Sequence, residues 1–253
     1  VLRRDWLPEH LQPLLENARL DACVSVQARA SEAETDFLLD LANSCPSIVA
    51  IVGWVDLRAA DIERRLGRWS GHEKLAGFRH QLQDESDVRA FVADARFQRG
   101  IATLQKSELV YEVLVYSHQL VDVADLCRLH DAHWLVLDHL GKPVIRRSEY
   151  AEWRRGFAAL AKLPHVACKL SGLVTEATNA AGRFEERDLD RYLDTALELF
   201  GAERLMFGSD WPVCLLAASH EQVTGIVARW SESLSAAEQA AIWGETASKV
   251  YDL

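Results

Sequence analysis

Residues 132–141 read AHWLVLDHLG. An unbroken apolar run, Leu135-Val136-Leu137, stops on Asp138 and His139 and then on a glycine. A run this short, apolar on both parities, is a strand covered on both faces, as in a parallel sheet. The polar residues at its C-terminal end raise the question of where the other runs stop.

Six more runs have the same form: ACVSVQAR (22–29), SIVAIVGWVDL (47–57), KLAGFRHQL (74–82), EVLVYSHQL (112–120), VACKLSG (166–172) and RLMFGSD (204–210). Amphipathic segments alternate with them. SEAETDFLLDLANS carries a capping box, Ser31 with Glu34, ahead of Phe37, Leu38 and Leu41. RDLDRYLDTALELFG spaces Leu189, Leu193 and Leu197 by four and ends on Gly201 as its C-cap. SAAEQAAIWG repeats the box with Ser235 and Glu238. Further helices are predicted over 8–19, 59–70, 119–131, 148–162 and 220–231, and a helix over 86–108 broken near Gly100. Strand and helix in strict alternation predict parallel strands joined by crossovers.

The chain has 253 residues, close to the roughly 250 of a (β/α)8 TIM-like barrel. A doubly wound sheet is the competing fold, but the first run ends in QARASEAE with no glycine-rich turn. Seven strands leave a closed barrel one short. The chain opens on Val1, and VLRRDWLPEH reads like the middle of a protein. The expectation is therefore one barrel domain over 1–253, N-terminally incomplete, whose first strand precedes Val1.

A formal charge of −10 gives no general attraction to nucleic acid or anionic membranes. No run approaches the roughly 18 apolar residues of a membrane span, and no signal peptide is present. Five scattered cysteines without a CxxC pair fit a reducing, cytoplasmic compartment. Trp69 and Trp153 are read either as a homo-oligomer interface or as covers of the barrel from a helix face.

In a (β/α)8 barrel the C-terminal strand ends converge on one mouth, where chemistry sits. Those ends carry Gln27 and Arg29, Arg79 and His80, His118, Asp138 and His139, and Asp210. Ordinary structural jobs exist for each: His118 capping a strand, His139 bonding a neighbouring backbone, Asp210 capping a helix, Arg79 in an ion pair. His10, His72, His130, His165 and His220 fall in helices or loops and are read as solvated. No GxGxxG, GxxxxGK[ST] or GxSxG is present, so water is the economical nucleophile.

GFRHQLQDE, LVLDHLGKP, CKLSGL and LMFGSDWPV, with RRDWLPEHLQPLL and VSVQA earlier, together resemble the amidohydrolase superfamily along the whole chain. The branch resembled is amidohydrolase-2, with its sugar-acid lactonases acting on L-fuconolactone and L-rhamnonolactone. The resemblance implies a hydrolase acting on a small-molecule lactone, with Asp210, His139 and His118 as catalytic residues. It implies Arg79, His80, Gln27, Lys142 and Trp211 as substrate contacts. That family carries a His-x-His pair on its first strand, which nothing here matches, and GFRH stands where a bridging lysine or glutamate would. The implied cofactor is one divalent ion, zinc first, on Asp210 and His118, or none. A decarboxylase or amide hydrolase on the same barrel, or a non-catalytic binder of sugar acids, are the alternatives.

Overall fold

In the computed structural model, which describes residues 1–145, 149–179 and 183–253, every one of the seven apolar runs contains or overlaps a strand, the fourth strand starting two residues ahead of its run. They are β1 (Cys23–Val26), β2 (Ile48–Gly53), β3 (Leu75–His80), β4 (Val110–Val113), β5 (Leu135–Leu137), β6 (Val166–Leu170) and β7 (Leu205–Phe207). All pair in parallel, in sequence order, in one sheet. The sheet curls as a TIM-like barrel of seven staves, with β1 and β7 as its edges. β1 is half-buried along its length, as an edge should be.

α1 (Pro8–Ala18) precedes the first strand, and between the strands lie α2 (Glu32–Ser44), α3 (Ile62–Gly67), α4 (Val88–Ala93), α5 (Ala95–Lys106), α6 (Leu120–Leu129), α7 (Tyr150–Ala161), α8 (Leu173–Ala177) and α9 (Glu186–Phe200). After β7 come α10 (His220–Ser231), α11 (Ala236–Ala240) and α12 (Thr246–Tyr251). Their apolar stripes cover the outer face of the sheet. α9 buries Leu189, Leu193, Ala196 and Phe200. Trp69 and Trp153 are buried in this outer core, so they cover the barrel and are not exposed.

The strands alternate in facing. Tyr111, Leu137 and Cys168 point outward into the helical layer. Val52, Val110, Val136, Ala167 and Met206 point inward and form a separate cluster, which Val250 and Tyr251 of α12 complete. The C-terminal helix thus seats inside the curl of the sheet.

Several local expectations are corrected. The 86–108 segment breaks at Asp94, not Gly100, because the Asp94 carboxylate accepts from the Arg96 N–H and restarts the chain as α5. Ser31 caps no N–H. Glu34 instead reaches back to the amides of Ala28 and Arg29, at 2.7 and 3.1 Å. The Ser235 box forms as expected. Of the helix expected over 148–162, residue 148 lies outside the described residues. His130 and His220 are buried rather than solvated, and burial lowers the pKa of both.

Gly100 lies mid-helix where α5 crosses the loop after β2. A Cβ there would stand 2.2 Å from the Leu57 carbonyl oxygen. Gly100→Ala is expected to cost about 1–3 kcal/mol through this overlap, despite alanine's better helix propensity. Urea unfolding of the variant checks the sign.

Candidate active site

The inward-facing positions just above the apolar cluster carry charge on four successive strands or strand ends: Arg79 (β3), Glu112 (β4), Asp138 (end of β5) and Lys169 (β6). Register pairs Arg79 with Glu112 directly. Lys169 Nζ lies 2.6 Å from Glu112 Oε1 and 2.9 Å from Asp138 Oδ1. Arg79 Nη1 lies 2.9 Å from Asp138 Oδ2 and 4.0 Å from Glu112 Oε2. Two cations and two anions neutralise one another in a belt across the barrel interior. Glu112 and Asp138 have no exposed surface.

Burial opposes ionisation of Asp138, but Lys169 and Arg79 outweigh it and hold the carboxyl well below its usual range. Glu112 is pushed the other way by burial and by the charge of Asp138. Both cations stay charged, since the two carboxylates more than offset their burial. The sequence reading missed Glu112 and Lys169. The available signal was a lone charge at an inward parity inside an apolar run, VYEVLV and VACKLSG.

Above the belt, β5 ends in a tight turn on which His139 has φ 53°. A non-glycine residue held in this left-handed region is a strained placement that packing must enforce. Gly172 lies against it: a Cβ at that position would sit 2.7 Å from the His139 Cβ, and its own φ is +69°. The turn is also held by the buried Trp153 indole, which donates to the Leu140 carbonyl at 2.7 Å. His139 Nδ1 is 2.7 Å from the Ser171 hydroxyl. Its Nε2 faces Asp210 Oδ1 at 3.8 Å. Asp210, after β7, is likewise left-handed at φ 54°, and its carbonyl, not its carboxylate, closes the next turn by accepting from Cys214 N. Burial lowers the His139 pKa by more than Asp210 and Asp138 raise it, so the ring is neutral at neutral pH.

The remaining expected contacts are distributed unequally. Arg79 faces the site from below, with its Nη2 donating to the Gln27 carbonyl. Gln27 is fully buried. Its amide donates to the Arg79 carbonyl at 2.9 Å and accepts from Gln81 at 3.0 Å. Lys142 donates to Gln83 Oε1 at 2.6 Å and stands 5.2 Å from the Tyr116 ring. His80 follows Arg79 in a strand and so points outward. There Trp54 donates to its Nδ1 at 3.2 Å, its Nε2 meets Glu85 at 2.8 Å, and it stacks on Phe91. It borders an outer cavity of about 210 Å³ with Trp54, Arg58 and Phe97. Gln27 and His80 thus both hydrogen-bond to protein partners in this structure. Trp211 packs edge-to-face on Trp6, with ring centroids 5.1 Å apart. His118 lies in a short turn after β4, exposed and stacked on Tyr116. It is not brought into contact with His139 or Asp210.

Zinc takes three or four protein donors. His139 and Asp210 offer two that face each other, and among the described residues no three His, Cys, Asp or Glu side chains converge. The expected pairing of Asp210 with His118 as metal ligands is not assembled. The described residues do not complete a zinc site.

The chain is similar to known proteins along its whole length. The amidohydrolase family model (Amidohydro_2) matches residues 1–253. An L-fucono-1,5-lactonase of Burkholderia multivorans is 55% identical over 261 residues, covering 100% of this chain and 88% of that protein. An L-fucono-1,5-lactonase of Burkholderia ambifaria is 33% identical over 217 residues, covering 86% of this chain and 73% of that protein. A crystal structure of an amidohydrolase from B. multivorans with bound zinc superposes with a TM-score of 0.95 at 54% identity, covering 100% of this chain and 90% of that one.

Two outcomes follow from the belt and from His139. Lys169→Met leaves two buried carboxylates facing one cation, and is expected to cost about 3–5 kcal/mol in denaturant unfolding. For His139 the folded pKa is below the unfolded value near 6.5. Its share of stability is complete above that value and is lost as pH falls towards the folded pKa, because the unfolded chain binds the extra proton. His139→Gln should therefore flatten the drop in unfolding free energy between pH 7.5 and pH 5.5 relative to the wild type.

Proposed function

The chain belongs to the amidohydrolase family, and from that premise we propose that it opens a neutral sugar-acid lactone by attack of water, with Asp210 as general base. The single observation that carries this reading is the Asp210–His139 pair at the barrel mouth. Its 3.8 Å separation is too long for a direct hydrogen bond but leaves room for a water about 2.8 Å from both atoms. The 55% identity to an L-fucono-1,5-lactonase supports an aldonolactone as substrate.

In this reading Asp210 takes a proton from that water as its oxygen attacks the lactone carbonyl. The C–O bond to the ring oxygen then breaks, and the proton held by Asp210 passes to the departing alkoxide. The product is an open hydroxy acid. His139, neutral at the working pH, orients the water through Nε2 and is itself held by Ser171. Arg79, fixed in the belt beneath, holds Asp138 at the foot of the His139 turn. Lys142 and Trp211 border the ring. His118, exposed beside Tyr116, serves at most as a rim contact.

Charge separates this reading from decarboxylation of a carboxylic acid. A carboxylate substrate needs a cation to receive it. Arg79 is already paired with Asp138 and Lys142 already donates to Gln83, while Asp210 adds a facing negative group. A neutral ring with hydroxyl groups suits these surroundings better.

Asp210→Asn should lower kcat on an aldonolactone by at least about 10³-fold with an unchanged far-UV spectrum and melting temperature. A pH-indicator assay on the purified variant measures this. Retention of near wild-type turnover would remove Asp210 from the mechanism.

A further inference from the structure

The charged belt does not end at the sheet. α12 sends the Tyr251 side chain into the barrel interior, where its ring joins the inner apolar cluster and its O–H donates to Glu112 Oε1 at 2.6 Å. The same oxygen receives Lys169 Nζ at 2.6 Å. Lys169 in turn holds Asp138 at 2.9 Å, and Asp138 is the residue before His139. Three polar contacts therefore connect the C-terminal helix to the residue that precedes the strained turn of the site.

We infer that Tyr251 and Glu112 are positioning residues for the His139–Asp210 pair. Little else holds the Glu112 carboxylate. Among the described residues its Oε2 has no hydrogen-bond partner, with Arg79 at 4.0 Å. Tyr251 and Lys169 together thus carry its hydrogen bonding. Without the phenol O–H, Lys169 alone must satisfy a fully buried carboxylate. It is then drawn from Asp138 towards Glu112, because an under-bonded buried anion is costly. Asp138 would lose one of its two cationic partners, and the left-handed backbone at His139 would lose part of what enforces it. Small displacements of this kind lower turnover more than binding.

This role rests on the lactonase reading, so the test separates the two. Steady-state kinetics on an aldonolactone are compared for the wild type, Tyr251→Phe, Glu112→Gln and the double variant, with melting temperatures alongside. Phenylalanine keeps the ring in the inner cluster and deletes only the O–H. Tyr251→Phe is expected to lower kcat about tenfold with KM unchanged, and to have no further effect in the Glu112→Gln background. A kcat within twofold of the wild type, or an equal loss in both backgrounds, would overturn the inference. A loss that matches a reduced folded fraction would do the same. A second readout needs neither substrate nor Glu112→Gln: the ¹⁵N shifts of the His139 ring. They should move in Tyr251→Phe, and unchanged shifts would contradict the role. A wild type that opens no lactone, with those shifts still moving, would fail the functional reading and leave the positioning role standing.

Discussion

Four ionisable side chains buried inside a parallel sheet can exist there only as mutual partners. Arg79, Glu112, Asp138 and Lys169 impose that constraint on the inner face from β3 to the end of β5 and on to β6. A slip of one residue in any of these strands would turn its charge outward into the helical layer and leave the others unpaired. The belt is therefore a register lock as well as an electrostatic floor. Below it lies the apolar cluster that α12 completes, and above it lies the mouth.

The floor also fixes the groups that stand above it. Asp138 is kept anionic by Lys169 and Arg79, and it anchors the start of the turn that holds His139. The same Arg79 is close enough to Asp210 for the two charges to interact. Both residues that face each other, His139 and Asp210, are left-handed, and Leu140 and Lys142 continue the left-handed backbone of the His139 turn. Gly172, Ser171 and Trp153 are packed so that the His139 turn has no easy way to relax. Preorganisation of this kind is what makes fixed dipoles and charges effective in a site that excludes water.

Most of the architecture was legible in the sequence because burial on both faces writes itself as an unbroken apolar run. All seven runs contain or overlap strands, and the polar residues at two ends, His139 and Asp210, do meet. What was not legible followed from parity and reach. His80 is adjacent to Arg79 and so points outward, which a strand-end inventory does not register. Glu112 and Lys169 lie one layer deeper than the mouth, and the resemblance quoted CKLSGL without singling out its lysine. Tyr251 belongs to a helix far from β4 in sequence, and no local pattern announces that its hydroxyl meets Glu112. Ser31 does not cap with its side chain because the Glu34 N–H that it would accept goes to the Ser31 carbonyl instead, at 3.1 Å.

The claim at the centre is that this mouth accepts a neutral lactone and opens it. Initial rates of ring opening on a neutral 1,5-aldonolactone, set beside rates of consumption of an aromatic carboxylic acid under the same conditions, test it most directly. The account predicts saturable opening of the lactone with kcat/KM at least about 10²-fold above that for the carboxylic acid. Preference for the carboxylate, or no acceleration of lactone opening over the buffer rate, would contradict it.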